Sequence, residues 1–544
     1  MNKVCKNCGG KFILSEKEKI FYAKLDVPSP TRCPDCRMQR RYAFRNERAL
    51  YQRKCDGTGK NIISIYSPDK PFKAYENDYW WSNKWDPMEF GRDFDFSKTF
   101  AENFRDLQIK VPRLYSMVIN SVNCEYTNMT GDNKNCYLLF ASENDEDCYY
   151  GKLAQTCKDC IDCSYIYNSE LLYECINCLK CYHCLFSKDL SDSSDCYFCA
   201  DLKACSNCLF SWGLRNKQNC IFNKQKTKEE FEAEIKKIFS SPDSAEGAKK
   251  EFEKMLKNRI VKYAELLKCE ECTGDYLKNC KRVHESFDVI NGWDCAYLTD
   301  ACDPKDTHDS SFIYYKPELC YETMSTLQLY NVQFTTYCYY CANLQYCDHC
   351  YHSKHCFGCV GLKRGEYCIF NKEYSEKDYK ELRSRIIEHM KRTGEWGEFF
   401  PINLSPFCYN ETVAIDYYPL TRLEALKSGY SWKESEPASA GGKHVPSILA
   451  TAAPDNIINE IFSCESCGKK IKFIPQEIKF YKHQNLSLPQ ICFECRYQAR
   501  HNLRTERKLY NRTCQKCGAA INTAYNPNSP EKVYCEKCYL EVVE

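Results

Sequence analysis

The chain has 544 residues, of which 42 are cysteine, and its formal net charge is only +2. No apolar run reaches the length of a secretory signal or a membrane span, so the sequence predicts a cytoplasmic protein without a membrane partner. In a reducing compartment, closely spaced cysteines are more often metal ligands or buried thiols than disulfides, which disfavours a disulfide-bonded secreted scaffold.

The charge is distributed unevenly along the chain. Residues 1–60 hold 15 Lys and Arg against 6 Asp and Glu, and residues 462–519 hold 12 against 4. The part between them must therefore be acidic. Two basic ends on an acidic body predict anionic partners for the ends, and phosphate is the usual candidate.

The first segment, residues 1–81, contains two Cys-x-x-Cys pairs formed by Cys5, Cys8, Cys33 and Cys36. Zinc takes four soft ligands in a tetrahedron, and two such pairs supply them from two tight turns. Glycines follow the first pair, as a zinc knuckle prefers, and the second pair contains Pro34 where a helix would begin. The pattern predicts a zinc-stabilised treble clef.

A copy of this segment forms the end of the chain, residues 461–544. Cys5, Cys8, Cys33, Cys36 and Cys55 recur without a gap as Cys464, Cys467, Cys492, Cys495 and Cys514, all 459 positions later. Self-similarity of this kind identifies a duplicated module before any fold is assigned. The second treble clef is therefore predicted to bind zinc through Cys464, Cys467, Cys492 and Cys495.

The C-terminal module has a further zinc-ribbon pattern, in which Cys514, Cys517, Cys535 and Cys538 form two more Cys-x-x-Cys pairs. In the N-terminal module the counterparts of the last three are Thr58, Glu76 and Tyr79, which cannot form a four-thiolate site. We therefore predict three zinc ions, and a degenerate N-terminal ribbon held by packing of Trp80, Trp81 and Trp85.

An arginine stripe follows the second cysteine pair of each module. On a helix the four arginines of one module fall within an arc of about 80°, and a guanidinium can grip two phosphate oxygens. The stripe predicts nucleic-acid contacts; a solvated cationic face or an acidic protein surface are the alternatives. The residues are Arg37, Arg41, Arg45, Arg48, Arg496, Arg500, Arg504 and Arg507.

Between the modules the sequence indicates a connector rich in aromatic residues at 82–123, which we expect to be docked, and two related halves. Half A spans 124–226 and half B spans 269–373; cysteines 196, 199, 205 and 208 recur 151 positions later. A helical spacer, 227–268, follows half A, and a helix with a C-terminal cap, 374–433, follows half B. Residues 434–460 have linker composition and predict that the last module swings relative to the body.

Within each half the cysteines recur at intervals of nine residues, as in Cys338, Cys347 and Cys356. This period predicts short β-solenoid-like repeats in which buried thiols stack between turns. A row of metal sites, including iron–sulfur clusters, is the less favoured alternative. The fold class is thus mixed, with small zinc modules at both ends and duplicated Cys/Tyr-rich β-solenoid-like repeats and helices between them.

These motifs resemble a known family. Cys-x-x-Cys-Gly, a central Phe-Tyr, a proline and Cys-x-x-Cys-Arg with a trailing Arg-rich helix resemble the zinc-ribbon, treble-clef-type domain of bacterial proteins. Segments 66–72, 130–136, 394–401 and 409–413 extend the resemblance, nearly end to end, to large uncharacterised cysteine-rich zinc-ribbon proteins of environmental bacterial genomes. The resemblance implies zinc binding and implies no activity.

Three functions follow from these patterns. The first is a zinc-binding, non-enzymatic, nucleic-acid-associated protein, with RNA favoured over DNA. The second is a protein-interaction scaffold that uses the Cys-rich repeats, and the third is metal storage or redox buffering. The N-terminal module has no histidine, and no catalytic residue or small-molecule substrate is predicted anywhere in the chain.

Overall fold

The computed structural model describes residues 1–434 and 442–543. The N-terminal module begins with a β-hairpin, two helices and a second hairpin. A capping box between Ser15 and Glu18 starts the first helix, and Pro34 opens the second directly after Cys33. The elements are β1 (Asn2–Val4), β2 (Lys11–Ile13), α1 (Glu16–Lys24), α2 (Pro34–Tyr42), β3 (Tyr51–Lys54), β4 (Asn61–Ser64), β5 (Ala74–Tyr75) and α3 (Asn77–Trp81).

The connector after this module is packed against the body. A 3₁₀ helix (Pro87–Phe90), α4 (Phe100–Lys110), β6 (Arg113–Leu114) and β7 (Val118–Ile119) form this segment. Phe100, Phe104 and Leu107 of α4 are buried in a hydrophobic cluster that includes Tyr346 and Phe357 of half B. Burial of large aromatic side chains is what holds a segment of this kind in place.

Half A is a stack of short parallel strands in which each turn of the chain pairs with the turn that follows it. Ser164 pairs with Lys152 before it and with Ile176 after it, and isolated bridges such as Val122 with Lys134 keep the same shift of 12 positions. The strands are β8 (Thr130–Gly131), β9 (Lys152–Gln155), β10 (Ser164–Tyr167), β11 (Ile176–Leu179), β12 (Lys188–Ser191), β13 (Ser194–Tyr197), β14 (Ala200–Lys203), β15 (Ser206–Leu209), β16 (Gln218–Ile221) and β17 (Lys224–Gln225).

The turns of this stack bend at every third residue. From Asn120 to Phe222 every third residue has a positive φ near 50–70°, the left-handed region. Four such corners make one 12-residue turn, and the corner positions are rich in Asn and Asp, which tolerate this conformation best among non-glycine residues. The residue after a corner points inward, and the half A cysteines, from Cys124 to Cys220, all occupy that position.

The spacer carries α5 (Lys228–Ile238), α6 (Pro242–Asn258) and β18 (Ile260–Lys262), and half B repeats the parallel stack. Its first pairing, Leu266 with Leu277, has a shift of 11 positions. From Gly274 onward the shift is 12 positions as in half A, except across an extra corner at Lys316, where Ser311 pairs with Met324, 13 positions later. The strands are β19 (Leu266–Leu267), β20 (Gly274–Lys278), β21 (Lys281–His284), β22 (Ser286–Ile290), β23 (Trp293–Ala296), β24 (Thr299–Cys302), β25 (Ser311–Tyr314), β26 (Glu318–Thr336), β27 (Tyr339–Gln345), β28 (Lys354–Phe357), β29 (Cys368–Ile369) and β30 (Lys372–Glu373).

The predicted nine-residue period is wrong, and the geometry of the stack explains why. Nine residues are three sides of a four-sided turn, so the thiol of Cys338 lies near the carbonyl oxygen of Cys347, at 3.7 Å, rather than stacking on its side chain. The 12-residue spacing of Cys124, Cys136 and Cys148 is the sequence signal of the actual period.

After half B come α7 (Glu376–Thr393), α8 (Ala414–Tyr417), α9 (Arg422–Lys427) and short 3₁₀ turns at Ile402–Leu404 and Tyr409–Glu411. The C-terminal module is built like the first. After 3₁₀ turns at Ala450–Ala452 and Asp455–Asn459, its elements are β31 (Phe462–Ser463), β32 (Lys470–Ile471), α10 (Pro475–His483), α11 (Phe493–His501), β33 (Tyr510–Thr513), β34 (Ala520–Thr523), β35 (Lys532–Tyr534) and α12 (Glu536–Val543).

The C-terminal module is docked, which corrects the prediction that it swings on a linker. Strand β35 pairs in parallel with β18 of the spacer, where Val533 faces Val261. Of the predicted linker, residues 435–441 lie outside the described residues, while the part from 442 onward packs on the module itself. Ala450 is fully buried, and its amide donates to the carbonyl of Leu486.

None of the helices in the described ranges combines the length and the apolar character that a membrane span requires.

Candidate metal centres

The first group of four thiols lies where the β1–β2 hairpin meets the start of α2. The Sγ atoms of Cys5, Cys8, Cys33 and Cys36 lie within 4.8 Å of one another, and those of Cys8 and Cys33 are 3.8 Å apart. Sulfur atoms at about 2.3 Å from a tetrahedral zinc ion would be about 3.8 Å apart, so the spacing fits zinc. Gly9, with a φ of 71°, closes the knuckle.

The second group repeats this geometry at the start of α11. Cys464, Cys467, Cys492 and Cys495 also lie within 4.8 Å of one another. The Sγ distances are 3.5 Å between Cys467 and Cys492 and 3.9 Å between Cys464 and Cys495. Burial opposes ionisation of Cys464, but backbone N–H donors, the first from Cys492, lower the pKa of its thiol to about 6. A thiolate is the form that binds metal.

The third group joins the β33–β34 hairpin to the start of α12. It contains Cys514, Cys517, Cys535 and Cys538, and the Sγ atoms of Cys517 and Cys535 are 3.8 Å apart. Here too burial is outweighed by backbone N–H donors, which lower the pKa of Cys514 to about 6. All twelve cysteines predicted as ligands are thus brought together in three groups of four, and the donor sets fit zinc.

In the N-terminal ribbon, which is the counterpart of the third group, side chains other than cysteine occupy the place of the thiols. Cys55 is buried, and Tyr79, at the position of Cys538 in the other module, covers Gly57 so closely that a Cβ there would lie 2.3 Å from Tyr79 Cε1. Lys60 pairs with Glu76 across the same space, at 3.1 Å. The degenerate ribbon of the N-terminal module therefore keeps its hairpin through side-chain contacts. The C-terminal module has thiols at the equivalent positions.

Two of the three tryptophans predicted to hold this ribbon are buried. Trp80 and Trp85 lie in the hydrophobic cluster shared with half B, and Trp85 donates from its indole N–H to the Trp80 carbonyl at 2.8 Å. Trp81 remains 44% exposed, with its ring edge-on to Trp80 and Tyr351. The packing thus ties the first module to half B as well as to itself.

The arginine stripe of the first module lies against half B. Arg37 donates from Nε to Asp309 at 2.7 Å, and Arg41 lies 3.3 Å from Glu322. These four side chains are at most 1% exposed. Arg40, which the sequence patterns did not single out, pairs with Glu322 at 2.9 Å. Buried guanidinium groups of this kind are stable only because carboxylates compensate their charge.

The stripe of the second module lies against half A in the same way. Arg496 and Arg500 share the two oxygens of Asp162, at 2.8 and 2.9 Å. Asp162 is fully buried. Burial opposes ionisation of the Arg496 guanidinium, but the neighbouring Asp162 carboxylate raises the pKa of Arg496 well above its ordinary value. Arg496 therefore stays charged.

The last two arginines of each stripe lie beyond the helix, because α2 ends at Tyr42 and α11 at His501. Arg45 pairs with Glu47 and Arg48 with Asp416, at 2.7 and 2.8 Å. Arg504 and Arg507 both reach Asp288 of half B, at 2.5 and 2.8 Å. The expectation of one helix carrying all four arginines is therefore wrong.

The two dockings are equivalent. Residues 459 positions apart in the modules contact residues 147 positions apart in the halves. Arg496 lies over the ring of Tyr150 at 5.0 Å and Arg37 over that of Tyr297 at 5.2 Å. Arg504 lies over Tyr165 and Arg45 over Phe312. A shift of 147 positions thus relates half A to half B, and it becomes 148 positions after the extra corner. The predicted offset of 151 positions is longer than this by three residues, which is one side of a turn.

In the folded chain, the eight arginines predicted to hold phosphates contact carboxylates of the protein. Each guanidinium forms an ion pair with a carboxylate of the same chain, and the side chain of Arg48, at 12%, is the most exposed of them. A phosphate could reach them only if the modules left the body. Binding of nucleic acid elsewhere on the protein stays a prediction.

The acceptors of these ion pairs were missed at the sequence level. Asp162, Asp288, Asp300 and Asp309 are all corner residues with a left-handed backbone. Two signals pointed to them: the excess of acidic residues in the middle of the chain, and aspartates recurring at multiples of three. Only the three-dimensional structure of the stack shows which of these aspartates face a module.

The central cysteines are separate from the metal centres. Most are fully buried, and their thiols donate to backbone carbonyls two residues earlier, as Cys163 does to Ile161 at 3.3 Å. All cysteines are free of disulfides. Within residues 1–434 and 442–543, groups of His, Cys, Asp or Glu suited to a metal form only at the three places above. This arrangement favours buried thiols over a row of metal sites.

Comparison with known families agrees with the geometry of the first centre. A family model described as "Probable treble clef domain" matches residues 1–45, the segment that contains the first four-thiol group. No curated protein matches the chain. The chain thus has a treble-clef domain at its start and four-cysteine groups near both ends, which together support metal binding.

Proposed function

We propose that this protein is a zinc-dependent binding scaffold whose two end modules act as structural clasps. The observation that carries the proposal is the burial of both arginine stripes in ion pairs with the central halves. Zinc would fix the fold of each module, and each module would then hold the acidic body through its arginines. The metal is proposed as zinc because tetrahedral thiolate groups of this spacing suit it best.

The central halves supply the scaffold in this proposal, and we interpret their 12-residue stack as a β-solenoid. Each module contacts both halves. The first pairs with half B through Arg37 and with half A through Glu47, which lies 2.8 Å from Lys152. The second pairs with half A through Arg496 and with half B through Arg504. Such crossed contacts would make the body rigid, which suits a surface that binds a partner in one orientation.

The clasp is tested by the substitution Asp162→Asn in the full zinc-loaded chain. It leaves Arg496 and Arg500 buried without a carboxylate, which should make opening of the C-terminal module easier by about 3–5 kcal/mol. The measurement is hydrogen exchange of α11. Asp132→Asn is the matched control, because Asp132 is also a corner residue but is exposed. Equal protection of α11 in both variants would contradict the proposal.

Nucleic-acid binding is the second candidate function, and substitutions of the same arginines distinguish it from the clasp. Arg41→Gln and Arg500→Gln are compared for retention of single-stranded RNA and for exchange of α2 and α11. The clasp predicts faster exchange with RNA retention unchanged. Loss of RNA retention with unchanged exchange would instead assign the stripes to phosphate binding, with the steep salt dependence typical of such contacts.

A further inference from the structure

A cavity of about 220 Å³ lies between the two halves, away from the metal centres. Half A contributes Ala141 and Gln155, half B contributes Phe312 and Leu327, and the first module contributes Arg45. At its rim the halves meet in a hydrogen bond from Tyr315 Oη to Glu143, at 2.6 Å. The cavity is smaller than the range of roughly 300–1,000 Å³ common for drug-sized ligands, so any occupant must be small.

The walls of the cavity are mainly apolar. Met117, Met129 and Leu327 line it together with the ring of Phe312. Methionine side chains adapt their shape to an occupant, and aromatic rings offer flat apolar surface. A short alkyl chain or a single ring would therefore be accommodated here.

One end of the cavity carries the buried guanidinium of Arg45, which shares its carboxylate partner with a second cation. Arg45 and Lys152 share one carboxylate, that of Glu47, at 2.7 and 2.8 Å. Among the residues that the structure describes, no other carboxylate is in ion-pair contact with either of them. Both side chains are almost completely buried. A single carboxylate that contacts two buried cations compensates each of them less fully than one carboxylate for each would.

Two polar groups that line the described part of the cavity have no hydrogen-bond partner. Arg45 donates from Nε to Glu47 and from Nη1 to the hydroxyl of Ser325, at 2.6 Å, and within the described residues its Nη2 has no acceptor. The hydroxyl of Thr130, which lines the cavity, is buried without a hydrogen-bond partner. A buried hydroxyl without a partner, such as that of Thr130, is rare in native proteins and calls for a ligand or a water molecule.

We propose that the cavity between the halves binds a small amphipathic monocarboxylate. Its carboxylate accepts from Arg45 and Thr130, while its apolar part lies among Met117, Met129 and Leu327. A phosphate monoester would bring a second negative charge although Arg45 is the one cation that lines the described cavity, and a neutral apolar molecule would leave the Arg45 Nη2 and the Thr130 hydroxyl without an acceptor. This site is independent of the clasp function.

The test is calorimetric titration of the full zinc-loaded chain with octanoate and, separately, with octanol. Octanoate should bind at one site, about tenfold or more tightly than octanol, because a hydrogen bond to a charged group contributes about 1.5–3 kcal/mol. Absence of saturable octanoate binding, or equal affinity for octanol, would overturn the proposal and would indicate that water fills the cavity.

Two variants show whether binding occurs in this cavity. Ala141→Phe fills it, and Ala204→Phe is its control, since Ala204 is an exposed corner residue of the same half with the same left-handed backbone. Corner positions elsewhere carry Phe186 and Phe198, so the substitution suits the backbone. Octanoate binding should be lost in the first variant and kept in the second; binding in both would place the ligand elsewhere.

Thr130→Val keeps the proposal testable if Ala141→Phe does not fold, as judged from zinc content and thermal unfolding. Removal of the hydroxyl should weaken octanoate binding about tenfold and leave octanol binding unchanged. Unchanged octanoate affinity would remove Thr130 from the site and contradict the proposed position of the carboxylate. Intact zinc content and docking in these variants would leave the clasp function standing in either case.

Discussion

At the scale of single residues, the inward positions of the central stack determine its character. They combine thiols and aliphatic side chains with a few polar side chains that bond along the stack. Asn133 accepts the amide of Asp145, and Asp145 accepts that of Cys157, both at 2.8 Å. These three residues are 12 positions apart and so stack in one column. A carboxyl group here is costly when charged, since its second oxygen has no partner.

The protonation of Asp145 gives a prediction about pH. Burial raises the pKa of its carboxyl group to about 8, against about 3.9 in an unfolded chain. The folded protein therefore holds one more proton between about pH 4 and pH 8, so this group lowers stability as pH rises through that range. Asp145→Asn should flatten the dependence from about pH 6 to about pH 8, as measured by urea unfolding.

Asp132→Asn serves as the control for this measurement. Asp132 is an exposed corner residue, so its substitution should leave the slope of stability with pH as in the natural sequence. The same slope in all three proteins would show that Asp145 is ionised in the folded state.

At the scale of elements, the two modules show how one hairpin fold is kept with and without a group of four thiols. The hairpin β3–β4 and its copy β33–β34 have the same length and the same register, with Tyr51 facing Ser64 and Tyr510 facing Thr523. In the copy, the turn is held by the third group of four cysteines. In the first module, Tyr79 covers the equivalent turn at Gly57.

The equivalent cysteines of these hairpins should behave differently. Cys514→Ala removes one of the four cysteines of the third group. It should reduce zinc from the proposed three ions per chain to two, because a structural zinc site needs four ligands. Cys55→Ala, at the equivalent position of the first module, should leave three. Native mass spectrometry gives both counts. Loss of zinc from the Cys55 variant would mean that the first ribbon also binds metal.

At the scale of the whole molecule, charge pairing between the modules and the halves makes the chain one unit. Arg507 of the C-terminal module lies at the centre of these contacts. It donates to the hydroxyl of Tyr42 in the first module at 2.6 Å, to that of Tyr165 in half A at 3.0 Å, and to Asp300 in half B at 2.6 Å. One guanidinium thus contacts both modules and both halves.

The geometry of Arg507 predicts that lysine cannot replace it. A single ammonium group cannot reach partners on several sides of a planar fork, so Arg507→Lys should cost about 1–3 kcal/mol. In scanning calorimetry we expect the C-terminal module to unfold before the rest. Arg364→Lys, at an exposed corner, should differ from the natural sequence by less than about 0.5 kcal/mol. Identical traces for both variants would show that the central contact is dispensable.

The local chemistry of this protein was determined by its sequence. Zinc ligation depends on thiols a few residues apart in tight turns, so Cys5, Cys8 and their copies identified the candidate metal centres without knowledge of the rest of the chain. The helix starts at Ser15 and Pro34 were equally local, because capping depends on neighbouring residues.

The roles of the arginines and the aspartates were decided only by tertiary structure. An exposed and a buried arginine stripe have the same spacing; what buries Arg37 and Arg496 is the position of Asp309 and Asp162, which lie 272 and 334 positions away along the chain. The 12-residue period likewise depends on a backbone that bends at every third residue, which side-chain types alone do not reveal. Long-range pairing places charges opposite one another, and no local pattern records it.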